Sequence, residues 1–410
     1  MRDANETPLS MVDLLQPEHI ANPYPFYQHV RSFDPVYWDE RMGGTWVLTR
    51  YQDVISLLRD SRTRSDRMEA SPSWLPEGLR EVLTPATRAI AKQMLFLDPP
   101  DHTRLRGLVS KAFTPRQVEA LRPQAQQVVD ELLDAVLPQG KMEVVSDLAY
   151  PVPIVVIARM LGVPPEDSAQ LTKWSGDFGL LLDGSNFTPE AAVQALYSIN
   201  EFMDYFRRHI RARRNEPKDD ILQMMINAEE QGDKLSEDEL LGNCILLLAA
   251  GHFTTTHLIG NGLLALLRAP EQWQLLSSRP ELIPVAVPEL LRFDSPVQFA
   301  ERIAKEELQI GGKQVEAGQS ITCALGAANH DPEQFSEPDL LKVDREENRH
   351  LAFGQGIHFC LGAPLARLEA EVVFTSLVQR LHEPQLATEQ IERNPGFVFR
   401  NVRALPITFS

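Results

Sequence analysis

The chain contains few cysteines and is short of positive charge. Three of its 410 residues are cysteines, at positions 244, 323 and 360, which is too few and too scattered for a disulfide framework. Its 57 acidic residues outnumber its 40 basic residues, and the net charge is −17. Because so acidic a chain is poorly suited to a phosphate backbone, we do not expect nucleic acid as a ligand.

Long apolar runs are also missing. No segment approaches the ~18 consecutive apolar residues of a transmembrane helix, and the first residues lack the layout of a signal peptide. We therefore expect a cytoplasmic protein without a membrane anchor. The chain has neither a Gly-x-Gly-x-x-Gly dinucleotide fingerprint nor a cysteine cluster for an iron–sulfur centre, so electrons for any redox reaction have to come from another protein.

Hydrophobic periodicity predicts a mainly α-helical fold with a small β part. Because no linker is evident, we interpret residues 1–410 as a single domain. Residues 61–95 show no clear period and predict a long irregular loop, a kind of segment that is often functional. Helices are expected at Pro25–Ser32, Val118–Val136 and Ile199–Arg214. Strands are expected at Val36–Asp39, Thr45–Thr49 and Ser320–Leu325, a hairpin at Leu308–Val315, and strand-like alternation at Phe397–Phe409.

The longest predicted helix follows Ser236. Ser236 and Glu239 match a capping box, apolar residues continue to Leu267, and Pro270 lies just beyond. The middle of this segment, Ile245–Gly251, is apolar on all sides, which is typical of a helix buried in the core.

The most informative segment is residues 353–362, with the sequence FGQGIHFCLG. Its glycines allow sharp turns and close approach of other groups. The next residues predict a helix with a proline in its first turn, so Cys360 is expected beside a helix N-terminus, where negative charge is favoured. A lone cysteine is ordinarily a small buried apolar residue. In this setting, however, it suits an axial ligand of haem iron.

The spacing Phe-Gly-x-Gly-x-His-x-Cys-x-Gly resembles the cysteine-ligand signature of the cytochrome P450 family. The resemblance extends over residues 20–407. The sequence is most similar to soluble bacterial members of the family, some of which modify polyketides or macrolides. It implies a P450-like fold with the long central helix over haem b (iron protoporphyrin IX). Cys360 is then the ligand of the iron, in a cofactor loop that includes Phe353, Gly354, His358 and Gly362.

Residues 250–255, with the sequence AGHFTT, resemble the oxygen-activation motif of that family. The resemblance implies a catalytic role for this part of the helix, in which Gly251 helps to open a groove and Thr254 passes protons to bound dioxygen. The family usually has Asp or Glu before this threonine, whereas this chain has Phe253, which cannot carry a proton. Four replacements for the missing acid stay open: His252, His257, ordered water or the substrate.

Two groups of charged residues also match the family. The first is structural and would support the cysteine loop; it consists of Glu289, Arg292 and Arg345. The second is expected to bind the haem propionates, because buried carboxylates need charge-assisted donors; it consists of His102, Arg106, Arg302 and His350.

The resemblance implies a haem-thiolate monooxygenase that inserts one oxygen atom from O₂ into a lipophilic small molecule, by hydroxylation or epoxidation. A polyketide or macrolide is the leading substrate class. The expected electron donor is a ferredoxin or flavodoxin with an NAD(P)H-dependent reductase, docking near Arg104, Lys111, Arg116 and Arg367. The expected substrate pocket is apolar and includes Met68, Met94, Phe178, Leu180, Leu247, Ala250, Val297 and Val398.

Alternatives to this interpretation stay open at the level of sequence. The substrate could instead be a steroid, a terpenoid, a fatty acid or an amino acid attached to a synthetase. Because Phe253 replaces the usual acid, a haem-thiolate isomerase, dehydratase or peroxide-driven enzyme is the alternative activity. A non-catalytic haem-binding protein is a third possibility.

Overall fold

The computed structural model describes residues 9–69, 73, 75, 77–183, 188–230 and 235–410, and helices dominate this part of the chain. The predicted mainly helical fold is confirmed. In chain order, the α-helices of the described residues are α1 (Pro17–Ala21), α2 (Tyr24–Phe33), α3 (Tyr51–Arg59), α4 (Glu77–Ala91), α5 (Asp101–Val109), α6 (Pro115–Glu119), α7 (Arg122–Val136), α8 (Pro151–Met160), α9 (Ser168–Asp183), α10 (Pro189–Asn215), α11 (Ile221–Glu230), α12 (Glu237–Arg268), α13 (Pro270–Ser278), α14 (Ile283–Phe293), α15 (Leu325–Ala328) and α16 (Ala363–Arg380).

The strands of the described residues are short and form three small sheets. They are β1 (Val36–Asp39), β2 (Thr45–Leu48), β3 (Thr63–Arg64), β4 (Lys141–Glu143), β5 (Phe299–Ala304), β6 (Leu308–Ile310), β7 (Lys313–Val315), β8 (Ser320–Ala324), β9 (Gln385–Leu386) and β10 (Pro406–Thr408). The largest sheet has the order β1-β2-β8-β5-β3, in which β2 and β8 are parallel and the other neighbours antiparallel. The second has the order β4-β10-β9, and β6 and β7 pair as a hairpin.

Helix α12 crosses the core, as its sequence predicts. The Ser236 hydroxyl accepts from the Glu239 N–H, and the Glu239 carboxylate accepts from the Ser236 N–H, which completes the capping box. The helix is 32 residues long and packs against α4, α8, α9, α14 and α16. At Gly262, an added Cβ would lie 2.8 Å from Cζ of Phe374, so glycine permits the close approach of α12 and α16.

The predicted irregular loop over residues 61–95 is wrong for much of its length. The structure has β3 and the 15-residue helix α4 there. Buried Leu83, Ala86 and Ile90 follow helical spacing. Pro85 lies among them, and because proline disfavours a helix interior, the sequence did not predict a helix here. Residues 70–72, 74 and 76 of this stretch lie outside the described residues.

Two other elements differ from expectation. The predicted helix Val118–Val136 is divided into α6 and α7, because a new helix begins at Arg122 with a proline in its first turn. In the predicted strand region Phe397–Phe409, the named strand is β10, and Phe399 and Val402 make isolated bridges. Among the described residues, no helix has both the length and the apolar character needed to cross a bilayer.

Candidate functional site

The cysteine loop is held in shape by its glycines and by one backbone hydrogen bond. Gly354 and Gly356 have φ of +66° and +72°, and a Cβ at Gly356 would lie 2.3 Å from the Leu58 carbonyl oxygen. The Cys360 N–H donates to the Phe353 carbonyl at 2.9 Å. The loop therefore closes on itself immediately before α16 and places the sulfur at the N-terminus of that helix.

The sulfur of Cys360 has donors and positive charge around it. Burial raises the pKa of the Cys360 thiol, while the N–H groups of Gly362 and Ala363 and the guanidinium groups of Arg106 and Arg367 lower it. The net direction is upward, so burial outweighs the donors. A metal ion that takes the place of the proton removes this penalty, and the donors then stabilise the thiolate. The loop therefore fits a metal-bound thiolate such as that of haem iron.

A group of basic side chains adjoins the cysteine loop. The rings of His102 and His358 lie 4.3 Å apart, and Nε2 of each is buried without a hydrogen-bond partner. Burial, together with the charges of Arg302, His102, Arg106 and Arg67, lowers the pKa of His358 to about 3. Buried cations require acidic partners, and buried ring nitrogens require hydrogen-bond partners. The two propionates of haem fit this requirement.

Arg67 belongs to this basic group, and sequence reasoning missed it. Its Nε lies 2.9 Å from Oε2 of Glu301, its guanidinium stacks 4.9 Å above the Phe96 ring, and its charge acts on Arg302 and His358. Arg67 lies in the stretch without periodicity, where the sequence offered no motif. The one clue was indirect: Arg67 pairs with Glu301, which precedes the predicted propionate ligand Arg302 in β5.

His350 has a different set of neighbours from the other three expected propionate partners. Its ring lies 5.6 Å from Phe353, and its Nδ1 accepts from the Ala352 N–H at 3.2 Å. Burial lowers the pKa of His350 to about 3, with Arg367 and Arg292 as the charged contributors. The structure thus brings His358, rather than His350, together with His102, Arg106 and Arg302.

The three residues of the expected structural triad are in contact. Glu289 and Arg292 form a fully buried bidentate pair with N–O distances of 2.7 and 2.8 Å. Nε of Arg345 lies 3.0 Å from Oε2 of Glu289. Asn348 also donates to Glu289, and Arg292 donates to the carbonyls of Asn329 and Pro338. These contacts join α14 to the segment that leads to the cysteine loop.

The middle of α12 has the expected threonine geometry. The Thr254 hydroxyl donates to the Ala250 carbonyl at 3.0 Å, which is the backward hydrogen bond expected of a helical threonine. A Cβ at Gly251 would lie 3.0 Å from Cγ1 of Ile157, so this glycine also allows α8 to pack closely. Gly251 therefore has a packing role that the sequence did not predict.

Phe253 fills space rather than linking polar groups. Its ring lies 4.5 Å from the Phe399 ring and 4.6 Å from the His257 ring, and a Cβ at Gly179 of α9 would lie 2.6 Å from it. Burial lowers the pKa of His252 and of His257 to about 3. Both histidines are thus neutral at physiological pH, and neither holds the extra proton that an acid at position 253 could supply.

The expected pocket residues differ widely in exposure. Phe178 is 1% exposed and belongs to the hydrophobic core, whereas Leu180 on the same helix is 56% exposed. The others range from exposed to buried; Ala250 is exposed, Met68, Val297 and Val398 are partly buried, and Met94 and Leu247 are buried.

The residues expected to dock the electron donor differ in their contacts within the protein. Lys111 and Arg116 are exposed. Arg104 pairs with Glu239 and Asp101, and Arg367 stacks 5.3 Å above the Phe353 ring, so both are partly engaged within the protein. Sequence reasoning missed Ile357, which is 51% exposed in the cysteine loop itself.

Comparison with known proteins identifies one family. Residues 185–278 and 272–405 match the model described as cytochrome P450. Cytochrome P450 CYP107DY1 of Priestia megaterium is 43% identical over 375 residues, which cover 90% of both proteins. Polyketide biosynthesis cytochrome P450 PksS of Bacillus subtilis is 38% identical, with 95% of this chain and 96% of PksS covered. Cytochrome P450 monooxygenase PikC of Streptomyces venezuelae is 37% identical, with 98% and 94% covered.

Solved structures agree with the sequence relatives. P450BioI, in complex with acyl carrier protein carrying hexadec-9Z-enoic acid, superposes with a TM-score of 0.89 at 38% identity. The match covers 96% of this chain and 99% of P450BioI, so the similarity extends over the whole fold.

Proposed function

Because the chain belongs to the cytochrome P450 family, we propose that it oxidises a polyketide- or macrolide-like molecule by inserting one oxygen atom from O₂. The chain is a haem-dependent oxidoreductase of the monooxygenase type, as the sequence predicted. Members of the family use redox partner proteins and lipophilic substrates. The substrate class is supported by the similarity to PksS, which is named for polyketide biosynthesis.

We assign the cofactor contacts from the geometry of the basic group. Cys360 would hold the iron through its sulfur, and His102, Arg106, Arg302 and His358 would bind the propionates. Arg67 is added to this group, and His350 is assigned to packing against Phe353. When bound, haem supplies the activation of O₂. The protein itself positions the substrate, excludes water and controls proton supply.

The remaining residues support these contacts. The buried Glu289–Arg292–Arg345 network anchors the segment before the cysteine loop. On α12, the Thr254 hydroxyl is held by the Ala250 carbonyl and is assigned to proton transfer. A buried, fully paired network of this kind resists rearrangement, because breaking one partner leaves an uncompensated charge.

We infer that the electron donor is a small ferredoxin or flavodoxin, with an NAD(P)H-dependent reductase behind it. Exposed Lys111 and Arg116 provide positive charge that complements an acidic carrier. Exposed Ile357 adds an apolar contact near the sulfur.

An acyl chain is a second candidate substrate, and one observation favours it. P450BioI, which covers nearly the whole chain, is described with an acyl chain on acyl carrier protein. A long acyl chain and a macrolide are both lipophilic, so the same apolar pocket could accept either.

The substrate is tested by binding and then by turnover. A panel of macrolides, linear polyketides, hexadec-9Z-enoic acid and its acyl carrier conjugate is screened by the shift of the Soret band. We expect macrolide or polyketide ligands to give the largest shift; a shift confined to the acyl compounds favours the second candidate. Turnover with ferredoxin, reductase and NAD(P)H under ¹⁸O₂ should label the product. An unlabelled product excludes the monooxygenase reaction and favours an isomerase, a dehydratase or a peroxide-driven enzyme.

A further inference from the structure

A cleft opens at the C-terminal end of α12. Its volume is about 640 Å³, within the range of roughly 300–1,000 Å³ that is typical of small-molecule sites. The start of α2, the ends of α12 and α14, and residues 339–342 contribute to its lining. Leu264 of this lining lies about 15 Å along α12 from Thr254, because each helical residue adds about 1.5 Å. The cleft is therefore separate from the part of α12 that is assigned to proton transfer.

Part of the lining is a buried charge cluster that consists of Asp294, Arg393 and Arg400. Nη2 of Arg393 lies 2.7 Å from Oδ2 of Asp294, and Nε of Arg400 lies 2.5 Å from Oδ1. None of the three side chains is more than 9% exposed. Burial lowers the pKa of Arg393 to about 10, so this group stays charged at neutral pH. Two cations thus share one carboxylate, and the cluster has an excess of one positive charge.

The other hydrogen bonds of the two arginines do not balance this excess charge. Arg393 donates to the side-chain oxygen of Asn261 at 3.0 Å, and Arg400 donates to the carbonyls of Ile20 and Ala21. All three acceptors are neutral. Because a buried cation without a full counter-charge is costly, the cluster favours an additional anion.

His330 and Asp339, which also line the cleft, are neutral as a pair. Nδ1 of His330 lies 2.8 Å from Oδ1 of Asp339, and Nε2 lies 2.9 Å from the Phe293 carbonyl oxygen. Since a carbonyl oxygen only accepts, Nε2 carries a proton, and a second proton lies between Nδ1 and the carboxylate. This pair therefore adds no net charge to the lining.

The charges on the rim of the cleft are exposed and of both signs. Arg268 and Glu271 have opposite charges, and Lys342 pairs with Glu337. Salt screens exposed charges much more than buried ones. The buried charge cluster therefore determines which ligand charge the cleft prefers.

An apolar surface adjoins these charges. The rings of Tyr24 and His330 are stacked 3.8 Å apart, and Leu340, in the same lining, is 53% exposed. We propose that the cleft binds an amphipathic organic anion, whose acidic group approaches Arg393 and Arg400 and whose apolar body covers Leu340. This ligand is distinct from the substrate that is oxidised.

One wall of the cleft is hydrogen-bonded to the network that supports the cysteine loop. The Lys342 N–H donates to Oε1 of Glu289 at 3.0 Å, and Nη2 of Arg292 donates to the Leu340 carbonyl at 3.3 Å. A ligand held against Leu340 therefore also restrains residues 339–342, which lie before the cysteine loop.

The test uses 8-anilinonaphthalene-1-sulfonate as the anion and N-phenyl-1-naphthylamine, which lacks only the sulfonate, as the neutral match. Haem-loaded protein is first saturated with 4-phenylimidazole, which ligates the iron and closes the haem pocket to both probes. The Soret band reports this saturation, and binding of each probe is then measured by equilibrium dialysis.

The variant Arg393→Gln removes the excess charge and leaves Asp294 with a single arginine. Arg403→Gln is the matched control, because Arg403 is exposed, pairs with Glu392 and changes the net charge by the same amount.

We expect wild type with blocked iron to bind one anion per molecule, more tightly than the neutral probe. Arg393→Gln should weaken anion binding about 10-fold or more, as for loss of one bond to a charged group, and should leave binding of the neutral probe unchanged. Arg403→Gln should behave as wild type. The proposal is wrong if the blocked wild type binds no anion, if Arg393→Gln binds it as tightly, or if both probes lose affinity equally.

A second measurement needs no variant, so it decides the question even where Arg393→Gln fails to fold. Hydrogen exchange of haem-loaded wild type is compared with and without the sulfonate probe. We expect slower exchange in residues 21–28, 264–272 and 339–343. Slower exchange confined to other segments would show that the anion binds elsewhere, and the assignment of this cleft is then wrong.

Discussion

At the scale of single residues, Cys360 is distinguished from the other cysteines by its donors. Cys244 and Cys323 are fully buried, and burial raises the pKa of both thiols, but neither has the backbone donors of a helix N-terminus. We expect Cys360→Ala to lose the red-shifted absorption of the reduced carbon monoxide complex, whereas Cys244→Ala and Cys323→Ala keep it. Retention of that band in Cys360→Ala would mean that another group ligates the iron.

Glu369, a fully buried residue of α16, makes the free energy of unfolding depend on pH in a specific direction. Burial raises its pKa from 4.5 to about 8 in the folded protein. Between these values the folded state binds a proton that the unfolded state has released, so stability falls as pH rises, by about 1.4 kcal/mol per pH unit. Urea unfolding at pH 5 to 8 should show a smaller decline for Glu369→Gln than for wild type. Identical declines would show that Glu369 ionises normally.

Arg67 is expected to contribute to haem retention. Because one hydrogen bond to a charged group contributes about 1.5–3 kcal/mol, Arg67→Ala should lose haem to apomyoglobin about 10-fold faster or more. Arg62→Ala is the control, since Arg62 is exposed and pairs with Asp60. Equal rates of haem loss in the two variants would mean that Arg67 does not bind a haem propionate.

At the scale of elements, local sequence signals predicted some elements well and others poorly. The capping box at Ser236 and the apolar run behind it identified α12 almost to the residue. Helix α4 was missed because Pro85 and its neighbours blur the helical period. Local patterns are informative where caps and periodicity agree, and they fail where tertiary packing stabilises an irregular sequence.

The N-terminus of α12 offers a test at this scale. Ser236→Ala removes an acceptor for the Glu239 N–H and should lower the free energy of unfolding by about 1 kcal/mol. Ser32→Ala in α2 is a suitable control, because that hydroxyl is exposed and donates to a carbonyl within its own helix. Equal free energies of unfolding for both variants would mean that the cap contributes nothing measurable.

At the scale of the whole molecule, the site combines distant segments that no local pattern relates. Glu289 and Arg345 were paired in advance through resemblance to a family, and their contact is present. Arg67 was not foreseen, because its role follows from burial and from neighbours far along the chain. His350 and His358 were both named, but local sequence could not tell which faces the basic group. The single-domain interpretation of residues 1–410 stays a prediction.

The net negative charge of the whole molecule makes the binding of an acidic electron carrier depend on a few exposed basic residues. The chain carries a net charge of −17, so an acidic carrier is repelled except where basic residues are exposed. The double substitution Lys111→Glu and Arg116→Glu should lower kcat/KM for ferredoxin about 10-fold at low ionic strength, and added salt should reduce the difference. The double substitution Arg208→Glu and Arg211→Glu makes a matched control with the same change of net charge, because both residues are exposed on α10, which packs on α4 and α9. If both variants lose the same activity with the same salt dependence, the carrier responds to net charge alone, and the proposed docking site near the cysteine loop is wrong.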